Sequence, residues 1–239
     1  MANLKEIRTR ITSVASTMQI TSAMKMVSAA KLKRAQDAIT QMRPYAEKLR
    51  EILVNISSTL EGSAEGIYSQ EREVNKVLIV AIASNRGLCG AFNANIFKAA
   101  EKRIKEYAEK EVQVYAIGKR SADYFTGKHT VFNSNAEIFN DLNYEHVAVM
   151  AQEVMDAFVE GKFDKVEIIY NEFKNAATQE VITQQFIPVV SEENEEGDIN
   201  ANYIFEPSKM SIVVDLIPKS LKTQFYKSLL DSHASEHGA

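Results

Sequence analysis

The sequence predicts a three-layer, Rossmann-like α/β domain with a largely parallel sheet, carried on a long helical coiled coil. Three observations predict it. Apolar residues repeat in alternating three- and four-residue steps through the first sixty positions. Short apolar runs then alternate with helical patterns between residues 74 and 200. From Ser208 a helical pattern resumes and is still running at Ala239. The expected units are residues 1–60, 74–200 and 208–239.

In the first unit Leu4, Ile7, Ile11, Val14 and Met18 share a seam with Leu32, Ala35, Ile39, Met42, Ala46, Leu49, Leu53, Ile56 and Leu60. The phase never changes; only Thr21, Lys25 and Ser28 put polar residues on it. Such a seam needs a partner helix to cover it. No glycine precedes Gly62, and Pro44 lies inside the pattern, so a kink is expected there rather than an end. Sixty helical residues would extend roughly 90 Å, a length suited to spanning rather than to filling a core.

Glu61 to Gly66 reads as a linker. The unbroken apolar run Lys76 to Ala83 is a strand buried on both faces. A turn, Ser84 to Gly90, leads into a helix whose face is Phe92, Ile96, Ala99, Ala100 and Ile104. Val112–Ile117 is a second strand, Lys119–Phe125 a short helix before Gly127, and Tyr144–Glu160 a helix stopped by Gly161. Lys165–Tyr170 is a further strand. Val181–Val190 alternates and belongs at a sheet edge, because Pro188 cannot donate to a ladder. Ser191 to Asp198 is a solvated acidic loop. The last helix carries Ile212, Val213, Leu216, Leu221, Phe225, Leu229 and Leu230 on its apolar positions.

With 45% hydrophobic and 25% charged residues, the composition is that of an ordinary soluble protein. No apolar run approaches the ~18 residues of a membrane span. The opening Met-Ala-Asn-Leu-Lys-Glu has neither a leader's apolar core nor a transit pattern, so the chain is expected in the cytoplasm unless a leader has been removed. A single cysteine, Cys89, fits a reducing compartment. Net charge is −4, but residues 1–60 hold ten Lys/Arg against four Asp/Glu, leaving −10 on the rest. A basic rod on an acidic body invites acidic protein surfaces; its cations are too dispersed among apolar residues for a nucleic-acid-binding basic region.

No motif composes an active site. Arg86-Gly87-Leu88-Cys89-Gly90 sits where a doubly wound sheet binds phosphate, but it lacks the G-x-G-x-x-G pattern and reads as a tight turn for helix packing. Walker A also fails, since Gln113 and Ala122 stand where glycine is required ahead of Lys119 and Lys128. Cys89 reads as structural. His233 and His237 have metal-ligand spacing but no third ligand in reach. The Met-rich run Met24-Lys25-Met26-Val27 falls where the seam turns polar, which suits a surface that meets several partners.

Ile20 through Leu32 (ITSAMKMVSAAKL) closely resembles the signature of the gamma subunit of F-type ATP synthases. Arg86–Gly90 matches that family's motif after the first strand. Tyr203-Ile204-Phe205-Glu206-Pro207 resembles its motif ahead of the C-terminal helix, and Ala234-Ser235-Glu236 the opening of its last shared stretch. The resemblance runs the length of the chain with its motifs in order. It implies a non-catalytic central shaft without cofactor or metal, one copy per complex, whose N- and C-terminal helices form an antiparallel coiled coil inside a hexamer of alpha and beta subunits. It implies an α/β domain below, against the epsilon subunit and the membrane ring of c subunits, so that membrane contact is only through the c ring and nucleic acid plays no part. Carried onto this sequence, it places Met24 and Lys25 against acidic loops of beta, and Tyr203, Phe205 and Glu206 near the polar loops of the c ring. Rotation of the ring by protons, or in some organisms sodium ions, would drive ATP synthesis, from the cytoplasmic face of a bacterial inner membrane.

Three departures from the family pattern stand out. Gln19 and Ser22 replace residues that are often basic, and Asn85 stands where the family usually has Asp, which removes any ionic role there. The family also continues past Ala239 with a helix that pairs with residues 1–60, so residues 208–239 are expected to be its truncated start. On that expectation an antiparallel partner covers Leu53, Ile56 and Leu60, reaches toward Met42, and leaves Leu4, Ile7, Ile11 and Val14 bare. Two rival readings are a cytoplasmic coiled-coil adaptor with an α/β binding module and a nucleotide-binding enzyme using the Gly87–Gly90 turn.

Overall fold

The computed structural model describes residues 3–57, 67–70, 72–189 and 209–239, the backbone alone at 50, 51, 53–57 and 209–214. The linker from Glu61, the acidic loop and the Tyr203–Pro207 motif lie outside these residues, as does Leu60.

A sheet in the order β3-β2-β1-β4-β5 organises the body. Strand β1 (Lys76–Ile82) lies at its centre, parallel to β2 (Glu111–Ile117) on one side and to β4 (Lys165–Asn175) on the other. After the exposed Lys76 its sequence is wholly apolar, which follows from that position because both faces are covered. Leu78, Val80 and Ile82 enter one core with Tyr115, Ile117, Val166 and Ile168. Val77, Ile79 and Ala81 enter the other with Val114 and Ile169. The period of two along the strand thus divides its side chains between two cores.

The second core is closed by α2 (Phe92–Glu106) and α3 (Lys119–Phe125). Phe92, Ile96 and Ala100 of α2 are buried, as their spacing predicts. Glu167 of β4 also points to this side. Burial raises its pKa, but a bidentate Arg103 (2.6 Å at each oxygen) and the Tyr107 hydroxyl (2.8 Å) bring it below the usual carboxylate range. The first core is closed by α4 (Tyr144–Val159) and α5 (Lys209–Gly238). Helix α4 begins at Asn143, whose Oδ1 accepts from the His146 N–H at 2.9 Å.

Strand β5 (Thr178–Ile187) is antiparallel to β4 and forms the edge that Pro188 predicts. The hairpin is tied by Asn175 Oδ1, which accepts from the N–H groups of Ala177 and Thr178 at 2.9 Å each. The opposite edge, β3 (Val131–Asn135), escapes sequence reading because Val-Phe-Asn-Ser-Asn has no alternation; its parallel pairing with β2 makes it a strand.

Helix α1 (Leu4–Ser57) runs unbroken through Pro44 for 54 residues, about 80 Å at 1.5 Å per residue. Its seam behaves differently in its two halves. Ala35, Ile39 and Leu49 are buried, and Leu32, Met42 and Ala46 partly so. Leu4, Ile11, Val14 and Met18 are 76%, 63%, 64% and 67% exposed. The covering helix is α5, antiparallel to α1: Ala234 meets Ala35 and Leu32, Asp231 meets Arg43, and Ile52 joins the core that holds Ile217 and Leu221.

Two expectations about α5 need correction. It reaches past Met42 to Leu32, so it covers more of α1 than expected. It is also more than a coiled-coil partner, since Ile217, Leu221, Phe225 and Leu229 pack into the main core of the sheet. A 3–4 apolar spacing marks a buried face without saying what buries it, and α5 has two such faces, one on α1 and one on β4 and α4. The side chains of Leu53 and Ile56 are outside the described set.

Candidate partner-binding surfaces

The turn at the carboxyl end of β1 is the place where an open α/β sheet commonly receives a ligand. Here it is closed by its own side chains. Ser84 N–H donates to Asn93 Oδ1 at 3.0 Å, and Asn93 Nδ2 donates to Ser84 Oγ at 2.8 Å and to Cys89 Sγ at 3.1 Å. Cys89 is buried in this cluster, in the structural role read from the sequence. Asn85 uses both ends of its amide: Nδ2 donates to Ala136 O at 2.6 Å, and Oδ1 accepts from Lys119 N–H at 2.8 Å. An aspartate could make only the second bond, so the departure from the family pattern has a neutral, bridging use.

The end of α5 lies over this same crevice. Ser235 Oγ donates to Asn171 O of β4 at 3.1 Å, and Asn171 Nδ2 reaches Phe92 O at the start of α2 at 3.5 Å. Glu236 and His237 sit within the electrostatic reach of Arg86 and of Lys31 on α1. The chain's own helix therefore occupies the switch-point position, which weighs against the nucleotide-enzyme reading.

His233 and His237 are brought together, with ring centroids 4.6 Å apart, and His233 stacks on Phe139 at 5.7 Å. Burial, with Lys31 nearby, pushes both rings down to about 4, so both are neutral at pH 7. Burial pushes Glu236 up to about 6 against the pull of Lys31 and Arg86. Cationic neighbours disfavour a metal ion, and among the described residues no group of three or more His, Cys, Asp or Glu side chains could hold one.

The open surface is the upper half of α1. Met24 (45% exposed) and Met26 (67%) are displayed with Ile20 and Val27, and Lys25 is exposed between the methionines. The Met-rich run, read from the sequence as a surface for partners, is thus exposed in the structure. Tyr203, Phe205 and Glu206 lie outside the described residues. Sequence reasoning passes over Arg43 and Asp231, which bond across α1 and α5 at 3.0 Å. The available signal was an acid inside the apolar run Leu229-Leu230-Asp231. No helix among the described residues is long and apolar enough to cross a membrane.

Comparison with known proteins agrees with this architecture. The ATP synthase family model matches residues 3–239. The ATP synthase gamma chain of Flavobacterium johnsoniae is 61% identical over 239 residues, covering 100% of this chain and 84% of that protein. The ATP synthase gamma chain of a Geobacter species is 43% identical over 241 residues with the same coverage, 100% and 84%. Among solved structures, a chain of the central stalk and c-ring of Tetrahymena thermophila mitochondrial ATP synthase matches with a TM-score of 0.66 at 22% identity. That match covers 92% of this chain and 95% of the other, a likeness of fold. The long paired helices, the five-stranded body and these sequence relationships together place the chain in the ATP synthase gamma chain family.

Proposed function

We propose that this chain is the central rotary shaft of a proton-translocating F-type ATP synthase, coupling rotation of a membrane c ring to ATP synthesis and hydrolysis on the alpha and beta subunits. The observation that carries the reading is the division of α1. Its lower half is locked to α5 and the sheet, while its upper half displays Leu4, Ile11, Val14, Met18 and Met24 to whatever surrounds it. Soluble proteins seldom expose an apolar strip of this kind unless a partner covers it. Family membership supports a hexamer of alpha and beta subunits as that partner.

The shaft itself performs no chemistry on this reading. Its asymmetric face makes the three surrounding catalytic sites unequal, and turning shifts each site's population through its binding states in sequence. Met24 gives an adaptable apolar contact and Lys25 a cation against acidic loops of beta. Tyr203, Phe205 and Glu206 meet the polar loops of the c ring, with the epsilon subunit beside the α/β domain. One copy serves each complex, peripherally, at the cytoplasmic face of a bacterial plasma membrane.

The test is reconstitution. The full-length protein is combined with alpha, beta and epsilon subunits and the c ring in vesicles, and ATP-driven ion pumping is recorded. Pumping that needs this chain supports the shaft. A complex that forms and pumps equally well without it excludes the shaft, and binding of this chain to other proteins but not to the alpha–beta hexamer favours the adaptor.

A further inference from the structure

Asp231 is a fully buried carboxylate in the last third of α5. Such a charge is tolerated only when it is well paired. Its Oδ1 accepts from Arg43 Nη2 at 3.0 Å, and the same nitrogen donates to Phe173 O of β4 at 2.7 Å. Lys227 stands 3.7 Å from Oδ2, an atom with no hydrogen-bond partner among the described residues. One guanidinium nitrogen therefore ties the rod helix, the C-terminal helix and the central sheet together. Tyr170 and Glu172 of β4 also face this point.

Among the described residues the remaining core contacts between rod and body are apolar: Ala35 and Leu32 with Ala234 and Phe173, and Ile52 with the main core, with Ile39 and Leu49 buried along the same stretch of α1. Apolar contact resists separation but is non-directional, so it does little to fix the rotational setting of a helix on its neighbour. Charge-assisted hydrogen bonds are directional, and in a low-dielectric setting they are strong. The Arg43 bonds lie between Ile52, which packs against the main core, and Leu32, the last covered apolar residue of the seam. That is the stretch over which twist must pass from body to free rod.

We propose that Arg43 and Asp231 form the joint that fixes the rod's rotational setting on the α/β domain, with Arg43 as its positioning residue. The inference rests on the shaft reading. Loss of the joint leaves the rod packed but free to give way under load, so ATP hydrolysis proceeds with less of its work reaching the ring.

The test uses the assembled complex in vesicles with the full-length protein, and reads ions pumped per ATP hydrolysed. The combined variant Arg43→Met with Asp231→Leu removes both charges while keeping volume, so neither member of the pair is left buried without the other, and the part-exposed Lys227 can turn to solvent. Hydrolysis should stay within about two-fold of the parent while ions pumped per ATP fall at least about three-fold. Arg43→Lys keeps the charge but not the planar fork and should fall by less. A combined variant with the parent's ratio overturns the joint. If that variant fails to assemble, Arg43→Lys and Arg43→Gln decide it: a lowered ratio supports the joint, and the parent's ratio in both overturns it. A parent complex that hydrolyses ATP without pumping would overturn the shaft reading and this inference with it, whereas parental pumping in the variants overturns this inference alone.

Discussion

Gly118 shows what a single residue decides. It opens α3 at φ +90, and a Cβ there would lie 2.0 Å from the Ala83 carbonyl oxygen. Neither the backbone angle nor the space admits a side chain. Gly118→Ala should cost at least about 2–3 kcal/mol, seen as a lower urea midpoint with an unchanged slope. The two partly buried histidines contribute to the pH response. Both rings have a folded pKa of about 4 against an unfolded value of 6.5, so the unfolded chain binds more protons in between. Their contribution is fully present above 6.5 and is lost as pH falls toward 4. Glu236, raised to about 6, acts in the opposite sense: its buried charge costs stability above that pH and the cost fades on acidification. The two rings outweigh the one carboxyl, so the chain should lose stability between pH 6.5 and 4. A double His233→Phe, His237→Gln variant should lose distinctly less over that window in denaturant titrations. A parental slope in the variant would show that other groups govern it.

At the scale of elements, α1 is one helix under two regimes. Ile39, in the covered half, is 2% exposed, and Ile39→Ala should cost about 2–5 kcal/mol through the cavity it leaves. Val14 is 64% exposed, and Val14→Ala should stay within about 0.5 kcal/mol in the isolated chain. Unpaired helix is marginal in water, so amides of residues 4–20 should exchange fast, while those of 32–49 are protected. Strong protection of 4–20 in a demonstrated monomer would mean that this segment is covered. The seam was legible because 3–4 spacing is a property of the chain alone. Which half of it finds a partner was not, because that depends on where α5 docks. In the same way β1 was legible as a continuous apolar run, and β3 was not, since Phe132, Asn133 and Ser134 become strand only by pairing with β2.

For the whole molecule, the charge on the exposed half of the rod is the accessible variable. Lys25 is the only cation between Arg10 and Lys31, and it is exposed. On the proposed shaft reading, which sets Lys25 against acidic loops of beta, Lys25→Glu in the assembled complex should lower ATP synthesis several-fold through repulsion, with hydrolysis less affected. Equal synthesis rates in vesicles carrying either residue would remove this contact from the shaft reading. The effect should weaken as salt is added, since exposed charges are screened over about 8–10 Å.

The sequence by itself determined the elements whose signal is local. The heptad seam, the doubly buried β1, the edge position of β5 and the four motifs that resemble one family all follow from residue types at fixed spacings. Candidate partner residues were legible only in part. Lys25 stands out because it interrupts the seam and Met24 because it belongs to the Met-rich run beside that interruption, whereas Arg43 and Asp231, 188 residues apart in sequence, are ordinary charges until their two helices are laid together. Tertiary structure alone decided that α5 belongs to both the rod and the core, and that its end fills the crevice where a ligand could have entered. The physical reason is that burial is a relation between surfaces. A chain can announce that a face must be covered, but the covering partner is selected only when all the faces compete for one another.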